Sequence, residues 1–128
     1  MARILIADDA EKVRKSLRQL LEQHDHWEVC GEAVDGEDTL QKLEQLSPDV
    51  VVLDVAMPGL DGLEVARRIN KMHRPVAIVL CSMYVDPQLA QSARRTGISV
   101  LVSKSNPRQI VEGIEAALRG ERLIASRF

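Results

Sequence analysis

The chain has 128 residues, room for one domain with one hydrophobic core. It is 45% hydrophobic but only 2% aromatic, so Val, Leu, Ile and Ala must build that core. A formal net charge of -2 argues against a general nucleic-acid or membrane surface, and no apolar stretch approaches the roughly 18 residues of a membrane span.

Strand-like and helix-like segments alternate five times along the chain. Residues 3–7 (Arg3-Ile4-Leu5-Ile6-Ala7) read as a strand ending on Asp8-Asp9. Residues 11–23 read as a helix with Val13, Leu17, Leu20 and Leu21 on one face. A second strand over 28–34 leads to a helix over 37–46 that Pro48 stops. The third strand, 50–54, is the run Val50-Val51-Val52-Leu53 closed by Asp54, and the breaker Met57-Pro58-Gly59 comes after it. A helix over 62–72 turns Leu63, Ala66 and Ile69 inward. The fourth strand, 76–81, is closed by Ser82, and a short helix spans 86–95. The fifth strand, 98–102, is followed by Ser103 and Lys104, and the last helix spans 107–119 with Pro107 in its first turn.

The first, third and fourth strands are nearly continuous apolar runs, the mark of strands buried on both faces. Five βα units then predict a parallel sheet with helices on both sides. Ligands of such sheets bind beyond the carboxyl ends of the strands, at the switch point of the strand order. Asp8, Asp9, Asp54, Ser82 and Lys104 all lie at those ends. Residues 1–119 are expected to form this domain. Residues 120–128 are a tail or the start of a linker, and Phe128 either packs back or leads into a longer protein. Met1 leads almost directly into the first strand, so no signal peptide is expected. Cys30 and Cys81 lie in apolar runs without CxxC spacing and read as reduced buried thiols of a cytoplasmic protein.

Three carboxylates in one crevice repel one another unless a cation intervenes. Oxygen-only ligands on a partly open, hydrated site suit Mg2+ or Mn2+ rather than zinc. The plain alternative is that Asp8 or Asp9 caps the following helix. Asp54 is either a third metal ligand or a nucleophile that forms an aspartyl phosphate. Ser82 offers a hydroxyl to a phosphoryl oxygen, or is an ordinary turn hydroxyl. Lys104 beside a buried strand needs an anionic partner, and a lysine ammonium suits phosphoryl chemistry. His24, His26 and His73 form no metal-like group, and Trp27 reads as a cap on the core edge.

Ala7-Asp8-Asp9, the run from Leu53-Asp54 through Pro58-Gly59 to Gly62, Ser82 and Lys104 together resemble the receiver domain of two-component response regulators. The resemblance covers residues 2 to about 119. It implies a flavodoxin-like (βα)5 fold, a doubly wound five-stranded parallel sheet of order 2-1-3-4-5. It implies that Asp54 takes a phosphoryl group from a sensor histidine kinase. Asp9, Asp54 and the backbone carbonyl of Ala56 would bind Mg2+, with Mn2+ as a substitute and Asp8 acting through water. Ser82 and Lys104 would hold the phosphoryl oxygens. The protein would then be a switch rather than an enzyme, phosphorylation drawing in Ser82 and Lys104 and shifting helix 4, strand 5 and helix 5.

Two positions depart from the common receiver pattern. Leu101 stands where many receivers carry Tyr or Phe, which rules out an aromatic rotamer switch there. Tyr84, the sole tyrosine, either shields the phosphoryl group or covers the loop. Ser105 comes after the lysine where many receivers have proline, which weakens the case for a cis peptide there. The ending Leu118-Arg119-Gly120-Glu121 and the pair Lys104-Ser105 are most similar to receivers that precede a LuxR-type helix-turn-helix domain. The expectation is a receiver from a longer transcription factor that meets DNA only through such a domain, with a natural single-domain regulator as the alternative. A homodimer would use either the helix 4, strand 5, helix 5 surface or the helix 1, helix 5 surface, and no membrane is involved. Two remoter rivals are a haloacid-dehalogenase-like phosphatase, which resembles DxD rather than Asp8-Asp9-Ala10 at the first strand, and a flavodoxin-like nucleotide or flavin module, which wants a glycine-rich turn there.

Overall fold

The computed structural model describes residues 1–124, so the alternatives for Phe128 lie outside the described residues. The elements are β1 (Ala2–Ala7), α1 (Glu11–Leu21), β2 (Trp27–Ala33), α2 (Gly36–Leu46), β3 (Val50–Asp54), α3 (Gly62–Lys71), β4 (Ala77–Ser82), α4 (Pro87–Arg95), β5 (Val100–Ser103), α5 (Pro107–Leu118) and β6 (Leu123–Ile124). The strands form one sheet in the order β2-β1-β3-β4-β5-β6, every adjacent pair parallel. The five predicted βα units and their order 2-1-3-4-5 are therefore present, with one short strand added at the β5 edge.

Alternation along the strands divides the core into two layers. Ile4, Ile6, Val50, Val52, Val79, Val100 and Val102 face α1 and α5, where Leu17, Leu21, Ile110 and Ile114 meet them. Leu5, Val51, Leu53, Leu80 and Leu101 face the other way, against Leu43 of α2, Val65 and Ile69 of α3, and Ala90 and Ala93 of α4. Aliphatic side chains suffice because both faces of the central strands are covered. Trp27 closes the edge of the first layer, 7% exposed and stacked on His24 at a centroid separation of 3.8 Å.

Four of the five principal helices begin on a side-chain cap. Asp35, Asp61, Asp86 and Asn106 each accept the N–H of the residue three further on, and Pro87 and Pro107 sit in the first turns of α4 and α5. Helix α1 is the exception: its N-cap is Ala10, with no side-chain cap bond. The capping role weighed for Asp8 and Asp9 is thus not the one they take, and both acids stay available to the crevice.

Predicted boundaries move by one or two residues where local bonds decide. Helix α1 ends at Leu21 rather than 23, because the His24 N–H closes on the Leu21 carbonyl at 3.1 Å, three residues back instead of four, and tightens the chain into a turn. Strand β5 begins at Val100 rather than 98, because Gly97 takes φ 82 and the Ile98 N–H returns to the Ala93 carbonyl at 2.9 Å. Strand β6 was not predicted. Leu123 and Ile124 pair with Val100 and Leu101, and the Leu123 N–H reaches the Ser99 carbonyl at 2.9 Å. Two residues are too few to show a period of two, so such a strand leaves no pattern to read.

Candidate functional site

The strand order reverses between β1 and β3, and Asp8 and Asp54 end at that reversal. The carboxylates of Asp8, Asp9 and Asp54 each offer an oxygen within 4.8 Å of the others. Lys104, one residue past β5, reaches across: its Nζ lies 2.7 Å from Asp8 Oδ2 and 3.2 Å from Asp54 Oδ2. The Lys104 backbone is fixed by its N–H on the Ser82 carbonyl at 2.8 Å. The three strand ends thus bring together the acids and the amine expected to meet there.

Within the cluster the acids differ. Asp8 is buried and all its polar groups are engaged: N–H on the Ala33 carbonyl, carbonyl on Arg14 Nη1 at 2.8 Å, Oδ1 on the Ala10 N–H at 2.9 Å, Oδ2 on Lys104. Asp54 is buried too, its side chain 5% exposed, with Oδ1 accepting the Ala56 N–H at 3.3 Å and Oδ2 facing Lys104. Asp9 is exposed. The site is thus partly open, as expected, and its open side is Asp9. The ammonium of Lys104 lies against the other two and supplies positive charge to them.

Burial pushes the Asp54 carboxyl above its ordinary range, and the neighbouring Asp8 charge adds to the rise, while Lys104 pulls against it. Burial alone would lower the Lys104 ammonium, but the hydrogen bond to Asp8 and the charges of Asp54 and Asp8 outweigh it and hold it above its usual value. Cys81 pairs with Asp54 in the β3–β4 ladder, and its thiol is pushed up to about 12 by burial and then by the Asp54 charge. It stays protonated and unreactive, as expected of a buried thiol. A donor set of three carboxylates with one open member fits a hard, hydrated divalent ion and gives zinc no nitrogen or sulfur ligand.

The other singled-out residues stand apart from this cluster. Ser82 Oγ donates to the Tyr84 carbonyl at 2.8 Å and accepts the Tyr84 N–H at 3.2 Å. It is engaged as a turn hydroxyl and does not join the cluster in this conformation. Tyr84 is 84% exposed, so here it neither covers the loop nor shields Asp54. Leu101 is fully buried under α4 and sits beside Ile124 of β6. Ala56 is exposed at the mouth of the site and Met57 is packed beneath it, 7% exposed. No peptide bond is cis among the described residues. Around Ser105 the chain is held by hydroxyls instead, with Ser103 Oγ and Ser105 Oγ 2.7 Å apart and the Ser103 N–H on Gln109 Oε1 at 2.6 Å.

Gly62 fixes the main chain of Asp54. A Cβ at this position would lie 2.3 Å from the Asp54 carbonyl oxygen and 2.8 Å from Val55 Cα, contacts with backbone that no rotamer relieves. Gly62→Ala is expected to lower stability by about 2 kcal/mol through this overpacking, read as a shifted urea midpoint. An unchanged midpoint would show that α3 can move off the strand freely.

Three contributors carry no signal in the sequence. Arg14 and Glu32 lie on neighbouring elements with no motif linking them, and only the pairing of α1 with β2 brings them together. Gln109 is one polar residue among several in the first turn of α5. An apolar groove of about 400 Å³ opens between α1 and α5, lined by Val13, Leu17, Leu20, Pro107 and Ile110 and bordered by Lys12 and Lys104.

A family model for the response regulator receiver domain matches residues 4–115. The transcriptional regulatory protein LiaR of Bacillus subtilis (strain 168) is 36% identical over 128 residues, covering 99% of this chain and 61% of that protein. Protein-glutamate methylesterase/protein-glutamine glutaminase 5 of Myxococcus xanthus (strain DK1622) is 44% identical over 103 residues, 80% of this chain but 30% of that enzyme. The crystal structure of a LuxR-family two-component response regulator from Aurantimonas sp. SI85-9A1 superposes with a TM-score of 0.90 at 34% identity, over 95% of this chain and 88% of that one. The chain spans less than two thirds of the length of these curated relatives.

Proposed function

The chain belongs to the response regulator receiver domain family, and from that premise we propose that Asp54 accepts a phosphoryl group from a sensor histidine kinase in a Mg2+-dependent step. The observation that supports this most directly is the ammonium of Lys104 spanning Asp8 and Asp54, with Asp9 left open beside them. An Asp54 carboxylate oxygen attacks phosphorus, the phosphorus–nitrogen bond of the kinase phosphohistidine breaks, and the imidazole leaves with the electron pair. Asp9, Asp54 and the Ala56 carbonyl would hold Mg2+, or Mn2+ in its place, with Asp8 reaching it through water. The ion would neutralise charge on the transferring oxygens. Lys104 carries a point charge to the same oxygens.

The phosphoryl group is a new acceptor at the end of β4. It would draw Ser82 from its Tyr84 turn and let α4 resettle over Leu101, which shifts a pre-existing equilibrium. The chain acts as a switch that takes up one phosphoryl group, not as a turnover enzyme. Its place would be the cytoplasm, where a receiver meets the kinase domain of its sensor; no described helix is long and apolar enough to cross a membrane. Residues 1–119 form the receiver, and the β6 segment begins the path to an output domain. A DNA-binding output is favoured over an enzymatic one, because the match to LiaR extends over 99% of the chain whereas that to the methylesterase stops at 80%. The kinase would dock on the α1–α5 groove beside Lys104. A homodimer would form either there or on the α4–β5–α5 face, where β6 already covers part of the β5 edge.

Beryllofluoride with Mg2+ tests the site and the assembly together. Native mass spectrometry is expected to find one BeF3 adduct per chain only when Mg2+ is present, and sedimentation is expected to show a larger species on addition. Adduct formation equal in the presence of a chelator would remove the metal from the proposal. Continuous turnover of a phosphomonoester would favour the phosphatase reading instead.

A further inference from the structure

Arg14 is a charged residue on the half-buried flank of α1, its side chain only 12% exposed. It divides its donors between two acceptors. Nε binds Glu32 Oε1 at 2.9 Å and Nη1 binds the Asp8 carbonyl oxygen at 2.8 Å. Glu32, on β2, is itself anchored: its Oε2 takes Arg18 Nε at 2.8 Å, and Arg18 also reaches Glu22 at 3.3 Å. The hydrogen bond from Arg18 is the chief reason the Glu32 carboxyl sits below the usual range. It stays ionised at neutral pH and holds the guanidinium.

The Asp8 carbonyl belongs to the peptide that joins Asp8 to Asp9. Asp8 is fixed through every polar group it has, but the exposed Asp9 carboxylate makes no hydrogen bond or ion pair among the described residues. The peptide before it places the Asp9 N and Cα from which that side chain projects. A guanidinium suits this task, because its fork serves two acceptors at a fixed angle and a lysine ammonium does not.

We propose that Arg14 is a positioning residue of the cation site: anchored on Glu32, it holds the Asp8–Asp9 peptide so that the Asp9 carboxylate meets that of Asp54. The proposal rests on the reading of these acids as the Mg2+ site of a phosphoacceptor. Position and charge act in opposite directions here. A positive guanidinium near a cation site weakens metal binding by its charge and strengthens it by aiming Asp9, so substitutions can separate the two effects.

The experiment titrates wild type, Arg14→Lys and Arg14→Gln with Mn2+, following the electron paramagnetic resonance signal of the free ion. Affinity is expressed per folded chain, with the folded fraction from circular dichroism. Uptake from acetyl phosphate is then measured against Mg2+ concentration. Arg14→Lys keeps the charge and loses the fork, and is the variant expected to stay folded. Both variants are expected to bind Mn2+ about tenfold more weakly, the scale on which groups behind a metal ligand act. The Mg2+ concentration for half-maximal uptake should rise by a like factor, and added Mg2+ should restore uptake. Tighter binding by Arg14→Gln with wild-type binding by Arg14→Lys would mean that only charge matters and overturn the proposal. Unchanged half-points in both would reduce Arg14 to a fold residue and overturn it as well. A wild type that retains no Mn2+ would instead remove the cation-site reading beneath it.

Discussion

Asp54→Asn is expected to take up no phosphoryl group from acetyl phosphate in the presence of Mg2+, and the metal-free variant is expected to unfold at higher temperature than the wild type near pH 7. The first outcome comes from chemistry. A carboxamide is a poor nucleophile, and no second acid of the cluster occupies the end of β3. The second comes from electrostatics. The Asp54 carboxyl is raised by burial and by Asp8, so its neutral form is the one the fold prefers. A carboxyl raised in the folded state contributes stability that is full below the unfolded value of about 3.9 and is lost as pH rises through the folded value. At neutral pH Asp54 therefore works against the fold. Asn removes its repulsion with Asp8 and still presents an oxygen to Lys104. Mass spectrometry after incubation with the donor checks the uptake, and thermal unfolding with a chelator checks the stability. Labelling of Asp54→Asn at the wild-type level would overturn the acceptor assignment. A variant less stable than wild type in the chelator would show that the ion pair with Lys104 outweighs the repulsion.

The architecture was legible because burial on both faces forces unbroken apolar runs, and Val50-Val51-Val52-Leu53 can be little else. The site was legible for a related reason. Asp8, Asp54 and Lys104 each interrupt such a run, and a charged group at a buried strand end must find partners near other strand ends. The features that stayed hidden depended on single hydrogen bonds. Ser82 lies where expected in the chain, but its hydroxyl turns to the Tyr84 backbone, a choice between rotamers on which composition is silent. The closure of the site was hidden too, since only coordinates show that Lys104 lies across two acids and leaves the third free. Strand β6 and the Arg14–Glu32 pair come from contacts between elements, which no periodicity within an element records. Leu101 illustrates both sides. Its position in β5 was plain, whereas its neighbour Ile124 shows that the segment after α5 packs on the same layer as Ala90 and Ala93 of α4.

Lys104→Met is expected to destabilise the metal-free protein by about 3 kcal/mol at neutral pH, the lower end of the cost of removing one partner from a buried ion pair. The Lys104 side chain is 12% exposed, Asp8 3% and Asp54 5%, so solvent replaces little of the lost interaction. Met fills the volume but leaves two carboxylates facing each other. Asp54, already raised, is pushed further up. By the same sign as above, the variant is most stable in acid below the ordinary carboxylate value and loses stability as pH rises through the raised one. The gap from wild type should therefore widen between mild acid and neutrality. Divalent cation should close it, because an ion among the acids supplies the charge that the ammonium gave, and a ligand of the folded state stabilises by mass action. The Mg2+ dependence of the urea midpoint should then be steeper in Lys104→Met than in wild type. Uptake from acetyl phosphate is expected to fall by about a hundredfold even with Mg2+ present, the loss typical of one missing electrostatic donor at a transferring group. Urea titrations across pH, with chelator and with Mg2+, separate these effects. A variant that matches wild type at every pH without metal would mean that Asp8 and Asp54 do not depend on Lys104, and the amine would lose its place in the proposed site.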